Sequence, residues 1–298
     1  MATFKYRFHG ETKVLDDAAR AAAPGQFIEL PDGITHYELW GPPSGQPVVL
    51  VHGFSVPYYI WDPTFAALTE NGFRVLRYDL YGRAYSDRPD TRYDANLFVQ
   101  QLLHLLTAIQ FPTPVHLIGL SMGGPITVAF TDRYPDKVGK LCLIDPAGFP
   151  TKRSLGDRLL VLPLVWEWAI DHFGEKLLIS NLLADFYKPE DFPEYQALFR
   201  EQMSYRGFRG ALLSTLRSGI IHNMVDCYTR VGTQQRAILL LWGCQDQVVP
   251  FALNEKVRNA LPDAKFYPIS DAGHIPHYER PDKVNPILTD FLEERTPA

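Results

Sequence analysis

Cysteine is scarce in this chain: there are three in 298 residues, Cys142, Cys227 and Cys244. They are too few and too unevenly spaced for a disulfide framework or a zinc site, and unbridged thiols predict a reducing, cytoplasmic location. Cys142, inside "KLCLID", reads as a small buried hydrophobe. Long apolar runs are also missing, and none approaches the roughly 20 residues that cross a bilayer. The first residues carry charge but no apolar core segment, so neither a signal peptide nor a stable membrane anchor is expected. Charge of one sign is lacking too. The net charge of -5 comes from 29 basic and 34 acidic residues, without the basic patch that a nucleic-acid partner needs. Internal repeats and low-complexity tracts are absent. What remains, 46% hydrophobic and 21% charged, describes an ordinary globular protein with a sizeable core.

That apolar content falls into short runs ending at turn residues: "PVVLVHG", "FRVLRYDLYG", "PVHLIGLS", "KLCLIDPAG", "AILLLWG" and "AKFYPISDAG". Continuous rather than alternating hydrophobicity predicts strands buried on both faces, as in a parallel sheet between helices. "ANLFVQQLLHLLTAI" supplies one such helix, with Leu102, Leu105, Leu106 and Ile109 at helical spacing. "QFIELPDGITHYELWG" predicts an opening hairpin turning at Asp32-Gly33. From Phe149 to about Gln235 the strand rhythm stops, and aromatic-rich helical segments follow. The expected organisation is an α/β core over 1–148 and 236–298, with a helical cap over 149–235 inserted between strands 6 and 7.

"GLSMGG" places Ser121 between glycines, at the end of a strand pattern and the start of a helical one. A G-x-S-x-G match alone is weak, since roughly one chain in ten of this length would carry it by composition. Its strand–turn–helix setting is the stronger signal, and Pro125 fits the first turn of the helix. Nucleophilic chemistry also needs a base, an orienting acid and oxyanion donors. His274 in "SDAGHIPHYERP" follows the last strand pattern, and Asp246 in "GCQDQVVP" follows the one before. Asp145 in "LIDPAG" also ends a strand and stands as the alternative acid. Asp271 reads as a turn residue, His116 as a packed strand residue, and His52 as a brace for the loop beside it.

These segments resemble the α/β-hydrolase superfamily over nearly the whole chain outside the insert. The resemblance implies a mostly parallel eight-stranded sheet with helices on both faces. It makes Ser121 the nucleophile, His274 the base and Asp246 the acid, with oxyanion-hole N–H groups from Phe54 and Met122. His277 resembles a recurrent residue near the base. "YDLYGRAYSDRP" departs from the usual pattern, because Ala84 replaces its second glycine. Asp79, Arg83, Ser86 and Asp87 read as a hydrogen-bonded loop beside the site. Tyr58 and Trp61 either wall the acyl pocket or pack in the core, and Trp166 and Trp168 are placed on the substrate side of the cap. No metal or organic cofactor is implied. The expected activity is hydrolysis of small carboxylic esters with an apolar acyl or aromatic part. The alternatives are a C–C bond hydrolase of ring-cleavage products and a receptor that keeps the triad. The glycine-rich oxyanion loop common in the C–C enzymes is missing from "HGFSVPYYIW".

Overall fold

The computed structural model describes residues 8–150 and 165–294, and the backbone alone at 165–170 and 173. The strands are β1 (Gln26–Leu30), β2 (Gly33–Trp40), β3 (Pro47–Val51), β4 (Arg74–Tyr78), β5 (Val115–Leu120), β6 (Val138–Ile144), β7 (Ile238–Gly243) and β8 (Lys265–Ile269). They form one sheet in the order β1-β2-β4-β3-β5-β6-β7-β8, antiparallel at β1/β2 and β2/β4 and parallel elsewhere. The opening hairpin forms, but Leu30 pairs with Gly33, so its turn is Pro31-Asp32 rather than Asp32-Gly33.

The apolar runs are continuous because the sheet is covered on both faces. Along β3, Val49 and Val51 enter one core cluster while Val48 and Leu50 enter the other, as the two-residue strand period requires. One face carries α3 (Ala95–Ala108) and α4 (Gly123–Arg133), whereas α2 (Asp62–Glu70) lies on the other. β8 closes one edge, where Pro268 costs no central ladder bond. The chain runs from β3 to β4 on one side and later to β5 on the other. This leaves a switch point at their carboxyl ends, where open α/β sheets bind ligands.

Between β6 and β7 the described regular structure is helical: α5 (Val165–Ala184), α6 (Tyr195–Met203), α7 (Phe208–Ser218) and α8 (Val225–Gly232), with one 3₁₀ turn. The last of these, within the expected 149–235 cap, packs against α4 of the core. Cys227, Tyr228 and Val231 belong to the main core cluster, and the Tyr228 hydroxyl donates to the Ala147 carbonyl at 2.7 Å. A bulky apolar face on α8 is better buried against α4 than held above a cavity.

The N-terminal arm fastens this insert. The Lys13 N–H donates to the Ser204 carbonyl at 2.9 Å, and the Glu11 carboxylate accepts from Gly207 and Arg209 N–H groups, both at 2.8 Å. Glu11 thereby caps α7, where backbone donors lack intrahelical partners. Glu11→Ala should lower stability by about 1–3 kcal/mol, since two buried donors lose their acceptor. Urea unfolding followed by tryptophan fluorescence measures this.

Candidate active site

Ser121 stands on the corner between β5 and α4 in the left-handed region, at φ 52°. A side chain is held there only when its surroundings over-determine it. Here its N–H donates to the Ile144 carbonyl at 2.9 Å, and its carbonyl accepts from Gly124 at 2.9 Å and Ala147 at 3.0 Å. The flanking glycines are steric necessities. A Cβ on Gly119 would lie 2.5 Å from the Gly123 carbonyl oxygen, and one on Gly123 would lie 2.1 Å from that of Val51. The helix start can therefore press against β3 and β5, and Ser121 is turned outward at their ends.

The acid and imidazole meet as well. His274 Nδ1 lies 2.8 Å from Asp246 Oδ2, with both side chains buried. Asp246 Oδ1 accepts from the Val248 and Val249 N–H groups at 2.8 and 2.9 Å. A carboxylate only accepts, so His274 carries its proton on Nδ1 and leaves Nε2 as an acceptor. Burial by itself would lower the imidazole's pKa. The Asp246 charge and hydrogen bond, aided by Asp185, raise it above the ordinary value. Asp145, Asp246 and His274 place side-chain atoms within 4.8 Å of one another, a set that could ligate a cation. Both Asp246 oxygens are already engaged by protein donors.

A cavity of about 360 Å³ opens over these strand ends, and Ser121 and His274 both line it. Their side chains do not reach hydrogen-bond geometry with each other among the described residues. Phe54, Val56, Ile60, Leu120, Val248 and Ile275 give the cavity apolar walls, while Asn181 and Asp185 enter from the insert. The Phe54 and Met122 N–H groups donate to no protein acceptor among the described residues. His52 fixes the loop ahead of Phe54, with Nδ1–H donating to the Gly53 carbonyl and Nε2 accepting from Leu80 N–H, both at 2.9 Å. Burial depresses its pKa to about 4, so it stays neutral.

Two pocket expectations are corrected. Trp61 is fully buried, with its ring 4.5 Å from that of His277, and Tyr58 packs against Arg77, His36 and Tyr85. Their 3₁₀ turn gives Ile60, rather than either aromatic, to the cavity wall. The side chains of Trp166 and Trp168 lie outside the described residues. His277 donates from Nε2 to the Ile60 carbonyl at 3.1 Å, and Asp271 pairs at the surface with Arg280 and Lys283. Ala84 adopts φ 36°, so the loop keeps a glycine-like bend without the glycine.

Asp185 and Glu279 escaped the sequence reading, and Arg83 reaches beyond the hydrogen-bonded loop expected of it. Asp185 has no motif around it, yet its carbonyl accepts the His274 N–H at 2.7 Å and the residue lines the cavity. Burial pushes that carboxyl up to about 7, with Asp246 and Glu279 adding to the rise and His274 opposing it. Arg83, fully buried, donates to the Phe54 carbonyl at 2.9 Å and to Thr215 Oγ1 of α7 at 3.0 Å. Glu279 accepts from Gly273 N–H at 2.6 Å and Tyr187 N–H at 2.7 Å, joining the histidine loop to the insert. Only contact across the fold reveals these roles.

A model of the alpha/beta hydrolase family matches residues 48–287, and the chain belongs to that family. It is 28% identical over 249 residues to Lipase 3 of Moraxella sp. (strain TA144), covering 79% of this chain and 74% of that one. It is 29% identical over 287 residues to 2-hydroxy-6-oxononadienedioate/2-hydroxy-6-oxononatrienedioate hydrolase 1 of Dechloromonas aromatica (strain RCB), covering 91% and 96%. Among solved structures, an esterase from Exiguobacterium antarcticum superposes with a TM-score of 0.77 at 23% identity, covering 91% of this chain and 100% of that one. At that identity the likeness shows the shared fold.

The electrostatics of the pair are measurable. An NMR titration of the His274 ring should give a pKa above the ordinary histidine value in the native protein, and Asp246→Asn should lower it.

Proposed function

We propose that the protein is a serine hydrolase that cleaves carboxylic esters with an apolar acyl or aromatic part through an acyl-enzyme. The observation that carries this is the shared cavity: the Ser121 hydroxyl and an imidazole fixed by Asp246 face the same space. Ser121 Oγ attacks the ester carbonyl as His274 Nε2 takes its proton. The developing oxyanion is received by the Phe54 and Met122 N–H groups, the latter at the start of α4 where the helix dipole favours negative charge. His274 then protonates the departing alkoxide. A water molecule, deprotonated by the same nitrogen, releases the acid and restores the Ser121 hydroxyl. The serine–imidazole hydrogen bond closes on substrate binding, as such contacts commonly tighten in the Michaelis complex. The insert serves as the cap, with Arg83 joining it to the oxyanion loop.

Esters are favoured over the Dechloromonas relative's dienedioates because of charge. Among the described lining residues, the ionisable groups are Asp185 and His274. A substrate carboxylate would meet an acid there, and like charges about 10 Å apart repel by roughly 1–2 kcal/mol at an effective dielectric near 20.

Ser121→Ala should cut hydrolysis of short and medium p-nitrophenyl esters at least about a thousandfold while the melting temperature holds. If the native protein leaves esters intact but consumes a dienedioate, C–C hydrolysis is the correct reading. Binding without turnover selects a receptor. Asp185→Asn should raise kcat/KM for a dicarboxylic monoester about tenfold relative to a neutral ester at pH 8, where the native carboxyl is mostly ionised.

A further inference from the structure

Asp145, the alternative acid, lies beside the acid that holds His274. It directly follows β6, with φ 44° and no exposed surface. Its N–H donates to the Leu241 carbonyl at 3.0 Å, and its Oδ1 accepts from Gly243 N–H at 2.9 Å. Its Oδ2 is buried and meets no donor. Beside it lie the Asp246 carboxylate and an imidazole whose Nδ1 proton already goes to Asp246. Two ionised carboxylates within 4.8 Å of each other, away from water, repel strongly, and an unpaired buried oxygen adds its own desolvation penalty. Asp246 is the better anion of the two, because two backbone N–H groups and the imidazole all donate to it. One proton on Asp145 Oδ2 removes the repulsion and supplies the missing donor.

We infer that Asp145 is held as a neutral carboxylic acid that donates its proton in a hydrogen bond to Asp246. It is a positioning residue, acting through Asp246 on the orientation and basicity of His274. Burial raises the affinity of Asp145 for its proton, and the Asp246 charge and hydrogen bond raise it further. The Gly243 hydrogen bond opposes this, and the more distant Glu279 charge adds to it. The role in turnover rests on the proposed ester hydrolysis, whereas the protonation state does not.

Asp145→Asn is the isosteric test. Asparagine tolerates positive φ, its carbonyl can keep the Gly243 bond, and its amide can donate where the acid did. Asp145→Gly accepts the same backbone but has no donor. The infrared spectrum of the native protein should contain the carbonyl stretch of a buried protonated carboxyl group, and the Asp145→Asn spectrum should lose it. A difference spectrum without that band overturns the inference whether or not esters are substrates. With a hydrolysed p-nitrophenyl ester, Asp145→Asn should keep kcat within about threefold. The acid limb of kcat/KM should also stay in place, because one neutral group replaces another beside Asp246, His274, Glu279 and Asp185. Asp145→Gly should lower kcat at least tenfold. If Asp145 were ionised, Asp145→Asn would remove a negative charge and move that limb to lower pH, which overturns the inference. Loss of turnover in Asp145→Asn as deep as in Asp246→Asn would make Asp145 the orienting acid itself, and so would equally refute it. Loss of activity in Ser121→Ala alone speaks to the hydrolase reading and leaves the infrared result standing.

Discussion

A single step of the parallel hydrogen-bond ladder, continued past the strand ends, holds the site together. The Ser121 N–H reaches across to the Ile144 carbonyl, the Asp145 N–H to Leu241, and the Cys244 N–H to Ile269. Each bond joins the first residue beyond one strand to the neighbouring strand, so β5, β6, β7 and β8 end in register. Ser121, Asp145, Asp246 and His274 therefore project from one level of the sheet, although 153 positions separate the first from the last in numbering. The left-handed backbone at Ser121 and Asp145 follows from the same geometry. A chain that completes a ladder bond and then leaves abruptly has few other ways to turn.

The insert is tied to this level by polar contacts as well as apolar packing. Glu279 and the Asp185 carbonyl hold the histidine loop to the segment after α5, and Arg83 joins Phe54 to α7. On the far side of α7, Glu11 caps the helix. Arg83 is the unusual member. Its guanidinium is buried among neutral acceptors, and burial lowers its pKa to about 9. A buried cation without a carboxylate is costly unless each N–H has a fixed acceptor, so the Phe54 loop and Thr215 are held where those acceptors are needed.

What the sequence made legible was local. Strand runs bounded by glycine read correctly because a strand buried on both faces is apolar throughout, and G-x-S-x-G read correctly because the corner forbids side chains at Gly119 and Gly123. Asp246 and His274 were singled out because each follows a strand pattern, and the structure brings their side chains together. Asp185 could not be singled out, since it follows a helix in a segment whose placement depends on the fold. Tyr58 and Trp61 misled for a related reason. A 3₁₀ turn sends neighbouring side chains in different directions, and aromatic composition alone does not say which one faces the cavity. The turn at Pro31-Asp32 was displaced by one residue because Gly33 already pairs with Leu30.

The acids around His274 show how one fold sorts similar groups into different charge states. Asp246 receives two backbone N–H groups and an imidazole, and each of those donors favours the anion. Asp145 receives one, and burial beside Asp246 holds its proton on. Asp185 makes no side-chain hydrogen bond among the described residues, and its carboxyl is carried up to about 7. Glu279 lies between these cases: burial raises its pKa, while the Gly273 and Tyr187 N–H groups pull it back. Asp145, Asp185 and Glu279, acids of nearly equal intrinsic strength, are thus separated by the backbone donors each receives and by its depth. Among these acids, Asp246 is the one hydrogen-bonded to Nδ1 of the imidazole.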